Sequence, residues 1–153
     1  MPSIEVTRRI AAPRADVFAR FSDLRDAPNV VTAIRKLEVL TDGPIGKGTT
    51  FRETRVMFGR EHTETMTITA FDPPRGYEVG AESHGCRYRS SFRFVEAGPS
   101  ATDVTMRFEG TPLTFVAKVM GFLMKPLTKR ILAECVKDLD DLKRACEAQP
   151  ASG

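Results

Sequence analysis

The fold is decided by residues 113–146, which read LTFVAKVMGFLMKPLTKRILAECVKDLDDLKRAC. Their apolar side chains recur at helical spacing, at Leu113, Ala117, Met120, Met124, Leu127, Ile131, Cys135, Leu139, Leu142 and Cys146. A helix of this length would measure about 50 Å at about 1.5 Å per residue. Such a helix can lie across the whole face of a sheet, and a bent sheet that grips it leaves space for a small molecule.

This helical segment has two unlike halves. The half from Ile131 to Cys146 is amphipathic, with Lys137, Asp140, Lys143 and Arg144 away from the apolar stripe. In the first half, Phe115, Val119 and Phe122 form a second apolar stripe roughly opposite the first. Because Pro126 removes a backbone donor, we expect a kink between the halves.

A helix that is apolar on all sides must be covered on all sides. We expect the cover of the second stripe to be residues 23–33, a second copy in a homodimer, or a membrane touched transiently. The protein would then be a monomer or a homodimer.

Short strands and turns precede the helical segment. Ile4, Val6, Arg8 and Ile10 alternate with polar residues and predict a first strand. Two short helices should follow, one after Pro13 and one over residues 23–29. From residue 34 to residue 109 the pattern predicts six further strands, separated by turns rich in Gly, Pro and Asp.

Turn chemistry predicts the register of three hairpins. A two-residue turn at Gly59-Arg60 would place Arg55 opposite Glu64, with Met57 facing His62. The same arithmetic at His84-Gly85 and at residues 98–100 predicts further apolar pairs: Ala81 with Tyr88, Val79 with Ser90, Tyr77 with Phe92, Phe92 with Met106, Ser90 with Phe108 and Phe94 with Val104. In each case apolar faces meet, and a slip of one residue would destroy the agreement.

The opposite face of these strands carries paired charges. Glu82 is predicted to face Arg87, and Arg89 to face Glu109, as expected of a solvated surface with cross-strand pairs. The net charge is only +3 and no aromatic residues are interleaved among these charges. We therefore expect no nucleic-acid partner.

Composition indicates one ordinary globular domain. The chain has 153 residues, 41% hydrophobic and 28% charged, which is typical of soluble proteins. We expect a single domain over residues 1–148 and a disordered tail over 149–153. Because MPSIEVTRRI lacks the apolar segment of a signal peptide, and no apolar run reaches the roughly 20 residues of a membrane span, we expect a cytoplasmic protein.

Metal, cofactor and disulfide chemistry are not expected. Cys135 and Cys146 would lie about 16 Å apart along one helix, too far for a disulfide. The chain has no metal-ligand cluster, phosphate-binding loop or dinucleotide fingerprint. Any reaction would have to use cavity shape and acid–base side chains.

The order and spacing of several motifs resemble one superfamily. The motifs are Ile10-x-Ala12-Pro13, Gly46-x-Gly48-Thr49-x-Phe51 and the turn over residues 69–75, followed by the C-terminal helix. Over residues 4–147 the chain is similar to the START-like or SRPBCC superfamily, and within it to the polyketide cyclase/dehydrase-like branch. The resemblance implies an α+β helix-grip (Bet v 1-like) fold: a seven-stranded curved antiparallel sheet around a long C-terminal helix, two short helices after strand 1, and a deep ligand cavity.

Candidate site residues are those that the register places on the concave face. Arg55, with His62 or Glu64 as base, could stabilise an enolate and abstract a proton, and Tyr88 is the fourth catalytic candidate. Arg55 and Glu64 could instead form a surface ion pair near the turn. The predicted ligand-binding set is Phe51, Glu53, Arg55, Met57, Met66, Tyr77, Val79, Tyr88, Ser90, Phe92, Met106, Phe108, Val116, Met120 and Leu123.

Three functions follow from this set. The first is binding or carriage of a small hydrophobic ligand, such as a lipid, a quinone or a polyketide-like aromatic compound. The second is a cofactor-independent cyclase or dehydratase. The third is a protein-interaction module that uses Phe115, Val119 and Phe122.

Overall fold

One seven-stranded antiparallel sheet is the framework of the molecule. The computed structural model describes residues 3–83, 85–123 and 128–148, apart from the side chains of residues 121 and 123. The strands are β1 (Ser3–Ile10), β2 (Ile34–Val39), β3 (Thr50–Met57), β4 (Arg60–Asp72), β5 (Gly76–Ser83), β6 (Cys86–Glu96) and β7 (Thr102–Pro112). Their order across the sheet is β1-β7-β6-β5-β4-β3-β2. Apart from β1 and β7, strands that are adjacent in the sheet are also consecutive in the chain.

Two breaks in register accompany the curvature of the sheet. One lies between Ile34 and Lys36 on β2, and the other between Ile68 and Ala70 on β4. Extra residues of this kind bend a strand and increase its twist. The helices are α1 (Arg14–Ser22), a 3-10 turn (Leu24–Asp26), α2 (Ala27–Val30), α3 (Phe115–Leu123) and α4 (Thr128–Ala148).

The aromatic core lies between α1 and the middle of the sheet. Phe18 and Phe21 are buried on α1 and meet Phe94 of β6 edge to face, with centroids 5.3 and 5.2 Å apart. Such contacts add to the free energy gained by burying the rings. The apolar side of α1 predicted after Pro13 is therefore packed on the sheet.

Three polar contacts hold the C-terminal half of α4 against the elements beside it. Asp141 is buried and accepts hydrogen bonds from the backbone N–H and hydroxyl of Thr32, both at 3.0 Å. The Glu147 carboxylate accepts a bond from the backbone N–H of Ala11 at 2.9 Å. Arg8 of β1 pairs with Asp140 at 3.2 Å. The position of the C-terminal half of α4 is thus fixed at three residues.

The structure describes two stretches of the predicted long helix, α3 and α4. The first begins at Phe115 because β7 continues to Pro112, beyond the predicted strand end at residue 109. Pro126 and the predicted kink lie outside the described residues. None of the described helices is long and apolar enough to cross a membrane.

Two of the three predicted hairpin registers are confirmed. Val79 pairs with Ser90 and Phe92 with Met106, as the turn chemistry indicates. The predicted charge pairs also form, with Arg87 2.9 Å from Glu82 and Arg89 3.1 Å from Glu109.

The predicted register of β3 with β4 is wrong by one step of two residues. Met57 pairs with Arg60, so the turn residues are Phe58 and Gly59 rather than Gly59 and Arg60. Both turn residues have positive φ, 56° and 73°, as a type I′ turn requires. A shift of two keeps every side chain on its predicted face but gives each one a new partner.

The second apolar stripe is not covered by residues 23–33. Phe115, Val119 and Phe122 are 80%, 44% and 70% exposed. Among the side chains of α3 that the structure describes, Ala117 is the buried one, and it lies beside the β5–β6 hairpin. The Leu113 backbone N–H donates a hydrogen bond to the Gly85 carbonyl of that hairpin at 2.8 Å. The small Ala117 allows this close approach and turns the larger side chains outward.

Candidate functional site

A cavity of about 150 Å³ lies between the concave face of the sheet and α4. Because side chains alternate along each strand, every second residue of β3 to β7 lies on the concave face, and some of these residues line the cavity. The sheet contributes Phe51, Glu53, Arg55, Met66, Tyr77, Val79, Ser90, Phe92 and Met106. The other walls are Arg20, Phe21, Asp23, Leu24, Ala27, Val30, Val31, Ile34, Leu37, Asp138, Leu139 and Leu142.

One charged cluster interrupts these apolar walls. Arg55 donates to Glu53, two residues earlier on β3, at 3.1 Å, and to Asp138 of α4 at 2.8 Å. The three side chains are only 20%, 14% and 14% exposed. Burial opposes the charge on Arg55, but attraction to the two carboxylates outweighs it and raises the pKa of the guanidinium. Arg55 is therefore a fixed cation in the cavity wall.

Asp138 differs from an ordinary carboxylate. Burial raises the pKa of its side chain from 3.8 to about 6, although Arg55 lowers it, and the charges of Glu53 and Glu134 raise it further. Its Oδ1 atom and the Oε2 atom of Glu134 are buried without a hydrogen-bond partner among the described residues. Buried polar atoms of this kind are uncommon in folded proteins. The cluster thus has spare acceptor capacity.

Tyr77 and Cys135 lie beside the cluster, but neither side chain is available for acid–base chemistry at neutral pH. The Tyr77 hydroxyl donates to the Phe21 carbonyl at 3.1 Å, and its ring stacks on Phe92 with centroids 4.9 Å apart. Burial raises the pKa of Tyr77, and the charge of Glu53 adds to this effect. Burial also raises the pKa of the Cys135 thiol to about 11, so it stays protonated at neutral pH.

The four predicted catalytic residues are not brought together. The expected opposition of Arg55 and Glu64 is wrong, because the true turn places Arg55 opposite His62. His62 is exposed and its Nε2 lies 3.2 Å from the Met57 carbonyl. Glu64 accepts a hydrogen bond from Ser83 at 3.0 Å.

Tyr88 lies apart from the cavity, stacked on Phe108 with centroids 5.7 Å apart. Burial raises the pKa of Tyr88 to about 12, and a hydrogen bond with Cys86 contributes to the shift. Of the four candidates, only Arg55 lines the cavity.

Several predicted ligand-binding residues also lie elsewhere. Met57, Tyr88 and Phe108 are on the concave face but outside the cavity wall. Val116 and Met120 are 70% and 48% exposed, because α3 turns Ala117 toward the sheet instead. The side chain of Leu123 lies outside the described residues. The predicted residues that do line the cavity are Phe51, Glu53, Arg55, Met66, Tyr77, Val79, Ser90, Phe92 and Met106.

Asp138 is the site residue that the sequence prediction missed. It follows Cys135 by three positions and precedes Leu142 by four, so it lies on the apolar stripe of α4. A carboxylate on a buried stripe needs a partner, and that rule could have identified it. The cavity residues that come from the 3-10 turn and α2 show no comparable pattern in the sequence.

A second depression of about 500 Å³ lies on the outer face of β4 to β6. Its walls include Arg75, Glu78 and Arg93, and Arg75 is already paired with Asp72 at 2.8 Å. It lies on the outer face among solvated charges, so the cavity between the sheet and α4 is the candidate site.

The sheet, the helix that packs on its concave face and the cavity between them together define a helix-grip protein. The chain belongs to the polyketide cyclase / dehydrase and lipid transport family, whose model matches residues 1–147. No curated protein sequence matches the chain. Among the described residues, no group of three or more His, Cys, Asp or Glu side chains could hold a metal ion.

Solved structures with the same fold include proteins of different roles. TTHA0849 from Thermus thermophilus has a TM-score of 0.79 at 21% identity, covering 96% of this chain and 98% of its own. The Zhui aromatase/cyclase from Streptomyces sp. R1128 has a TM-score of 0.77 at 18% identity, covering 99% and 98%. Norcoclaurine synthase from Thalictrum flavum, in complex with dopamine and hydroxybenzaldehyde, has a TM-score of 0.71 at 19% identity, covering 97% and 88%. At these identities the likeness establishes the fold.

Proposed function

We propose that this protein binds a small, ring-bearing apolar molecule in the cavity between the sheet and α4. The observation that carries the proposal is a largely apolar cavity with the buried cluster of Arg55, Glu53 and Asp138 in its wall. Ligand sites typically combine apolar walls with a few polar groups that fix orientation. Arg55 and Asp138 are those groups here.

The size and chemistry of the cavity limit the ligand. About 150 Å³ is enough for a benzene-sized molecule, whereas a long acyl chain would require the walls to move. An ionised carboxylate can only accept hydrogen bonds, and Asp138 Oδ1 has no partner among the described residues. The fitting ligand therefore carries a donor, such as a phenolic hydroxyl. We favour a polyketide-like aromatic compound over a lipid or a quinone on these grounds.

The family and its structural relatives support this choice. The family description joins cyclases, dehydrases and lipid transport, all of which involve largely apolar molecules. One structural relative is an aromatase/cyclase, and another is in complex with dopamine and hydroxybenzaldehyde, which are single-ring compounds. A single-ring compound also fits the volume of this cavity.

Catalysis without a cofactor is the second candidate function, and one observation favours it. Asp138 has a pKa of about 6 and lies 2.8 Å from a permanent cation. A base poised near neutral pH can abstract a proton next to a carbonyl, and a neighbouring guanidinium can stabilise the enolate. In this reading Asp138 replaces His62, Glu64 and Tyr88 as the acid–base group.

Binding is tested by filling the cavity and titrating a single-ring ligand, para-ethylphenol, with isothermal titration calorimetry as the readout. Val79→Phe adds a ring inside the cavity, and Val95→Phe makes the same change at a 51% exposed position. We expect Val79→Phe to weaken binding at least tenfold and Val95→Phe to leave it unchanged. Ser90→Leu repeats the test should Val79→Phe not fold. Equal affinity in all folded variants would contradict the proposal.

Catalysis is tested by solvent-deuterium exchange into an aromatic β-diketone. A cyclase-type site would exchange the acidic C–H faster than buffer. Asp138→Asn would slow this exchange by about 100-fold or more, the usual contribution of a general base. Exchange at the buffer rate, with para-ethylphenol binding intact, would leave binding as the function and exclude the catalytic candidate.

A further inference from the structure

We propose that α3 docks this protein onto the surface of an anionic lipid bilayer. The docking face is the α3 patch, which we define as Leu113, Phe115, Val116, Val119, Met120 and Phe122. The proposal concerns the outer surface of the molecule, so it stands or falls independently of what the cavity binds.

The α3 patch concentrates apolar surface. Among the described residues, ten large hydrophobic side chains are exposed, and six of them belong to this patch. Phe115 is 80% exposed, and Val116 and Phe122 are each 70% exposed. Contiguous apolar surface of this kind marks an interaction site rather than ordinary surface composition. The helix contributes Ala117 to the fold and offers its large side chains to a partner.

The charges around the α3 patch have one sign. Residues 110–133 contain Lys118, Lys125, Lys129 and Arg130 and no Asp or Glu. Lys118, Lys129 and Arg130 are exposed. The rest of the chain mixes both signs, and its outer face pairs them. Apolar side chains interspersed with basic residues along one segment are the pattern of helices that lie in the interface of anionic membranes.

A second exposed aromatic residue lies at the same end of the sheet. The strands β3, β5 and β7 run in the same direction, so the Phe58 turn and the start of α3 lie at one end. Phe58 is 41% exposed, and the Arg130 guanidinium lies 5.7 Å from its ring centroid. This end of the molecule therefore presents a further ring beside a basic side chain.

The charge pattern favours a lipid surface over a second copy of the chain. A twofold dimer uses the same patch on both subunits, so it would bring the exposed Lys118 of each subunit into one interface. A bilayer with anionic headgroups neutralises those charges instead. With nine residues, α3 is too short to span the bilayer and would lie in its interface.

The experiment is co-sedimentation of the full chain with phosphatidylcholine vesicles, with and without phosphatidylserine, at low and high salt. We expect binding to the phosphatidylserine vesicles that salt weakens, because screening acts on exposed charges. The double variant Phe115→Ser/Val119→Ser should weaken binding at least tenfold. Lys118→Gln should weaken it about fivefold, the usual effect of one basic residue near the surface.

Matched controls use the same changes away from the patch. Val95→Ser removes an exposed valine, and Lys47→Gln removes an exposed lysine at the opposite end of the sheet. Both should bind like the wild type, and all variants should keep the wild-type circular dichroism spectrum. Absence of wild-type binding, or equal losses in the controls, would overturn the proposal. So would sedimentation velocity showing a dimer that Phe115→Ser/Val119→Ser dissociates.

Discussion

At the scale of single residues, the cavity depends on how one cation is shared. Arg55 lies between Glu53 and Asp138, and Glu134 adds a third carboxylate nearby. Removing one partner of a buried pair leaves an uncompensated charge, which is much more costly than losing the pair itself. The cluster therefore couples the stability of the fold to the polar end of the candidate site.

Arg55→Leu should strongly destabilise the protein. Two carboxylates would lose their cation in a buried site, so we expect a loss of about 3–5 kcal/mol in the free energy of unfolding. Arg87→Leu removes an arginine whose pair with Glu82 is 61% exposed on both sides, and should cost less than about 1 kcal/mol. Denaturant unfolding of both variants measures the difference, and equal losses would contradict a buried charge cluster.

Asp138 should make stability depend on pH between about 4 and 6. Its pKa is raised in the folded protein, to about 6 from 3.8, so the folded state binds the proton more tightly. That contribution is present below about pH 4 and is lost as the pH rises through 6, about 2–3 kcal/mol in total. Relative to Asp138→Asn, the wild type should therefore gain stability on acidification from pH 7 to pH 4. A parallel pH dependence in both proteins would contradict the raised pKa.

At the scale of elements, the sequence predicted the hairpins whose turns are typical. Val79 with Ser90 and Phe92 with Met106 follow from Gly-containing turns and alternating apolar faces. The β3–β4 register was missed because an aromatic residue rarely adopts positive φ, so Gly59 looked like the first turn residue. The pairing of two long strands outweighed the local cost at Phe58.

That local cost can be relieved. Phe58→Asn would give an Asn-Gly turn, which favours positive φ at both positions. We expect a net gain of about 0.5–1 kcal/mol, since the left-handed conformation costs about 1–2 kcal/mol and the Arg130 contact returns only about 0.5. Phe58→Ala loses the ring contact without relieving the backbone and should be less stable than Phe58→Asn in thermal unfolding. The reverse order would contradict the turn assignment.

The attachment of α4 should depend more on Asp141 than on its neighbour. Asp141→Ala removes the acceptor of two Thr32 hydrogen bonds in a buried position, and should cost about 2–3 kcal/mol. Asp140→Ala removes a pair with Arg8 in which both side chains are more than a third exposed, and should cost less than about 1 kcal/mol. Hydrogen exchange of α4 amides would report the loss. Similar protection in both variants would contradict this anchoring.

At the scale of the molecule, the sequence predicted the fold better than the residues that line the cavity. Helical spacing and strand alternation depend on local periodicity, which one sequence displays. The cavity wall also needs Leu24, Val31 and Asp138, contributed by separate elements that meet only in three dimensions. The surplus apolar surface of α3 was visible in the sequence, but its exposure depended on Ala117 facing the hairpin. The folded protein thus has a largely apolar cavity and, at one end of the sheet, a separate surface where exposed apolar and basic side chains lie together.

The central claim is that the cavity binds a single-ring molecule with its donor toward Asp138. Methyl NMR with para-ethylphenol tests it most directly. We expect saturable shifts at Val79, Met106 and Leu142, which line the cavity, and none at the exposed Val95. Ethylbenzene, which lacks the donor, should bind to the wild type about tenfold more weakly than para-ethylphenol does, since a hydrogen bond to a charged group contributes about 1.5–3 kcal/mol. The two compounds should bind to Asp138→Asn with similar affinity. Shifts spread over the exposed methyl groups, or none at the cavity, would contradict the account.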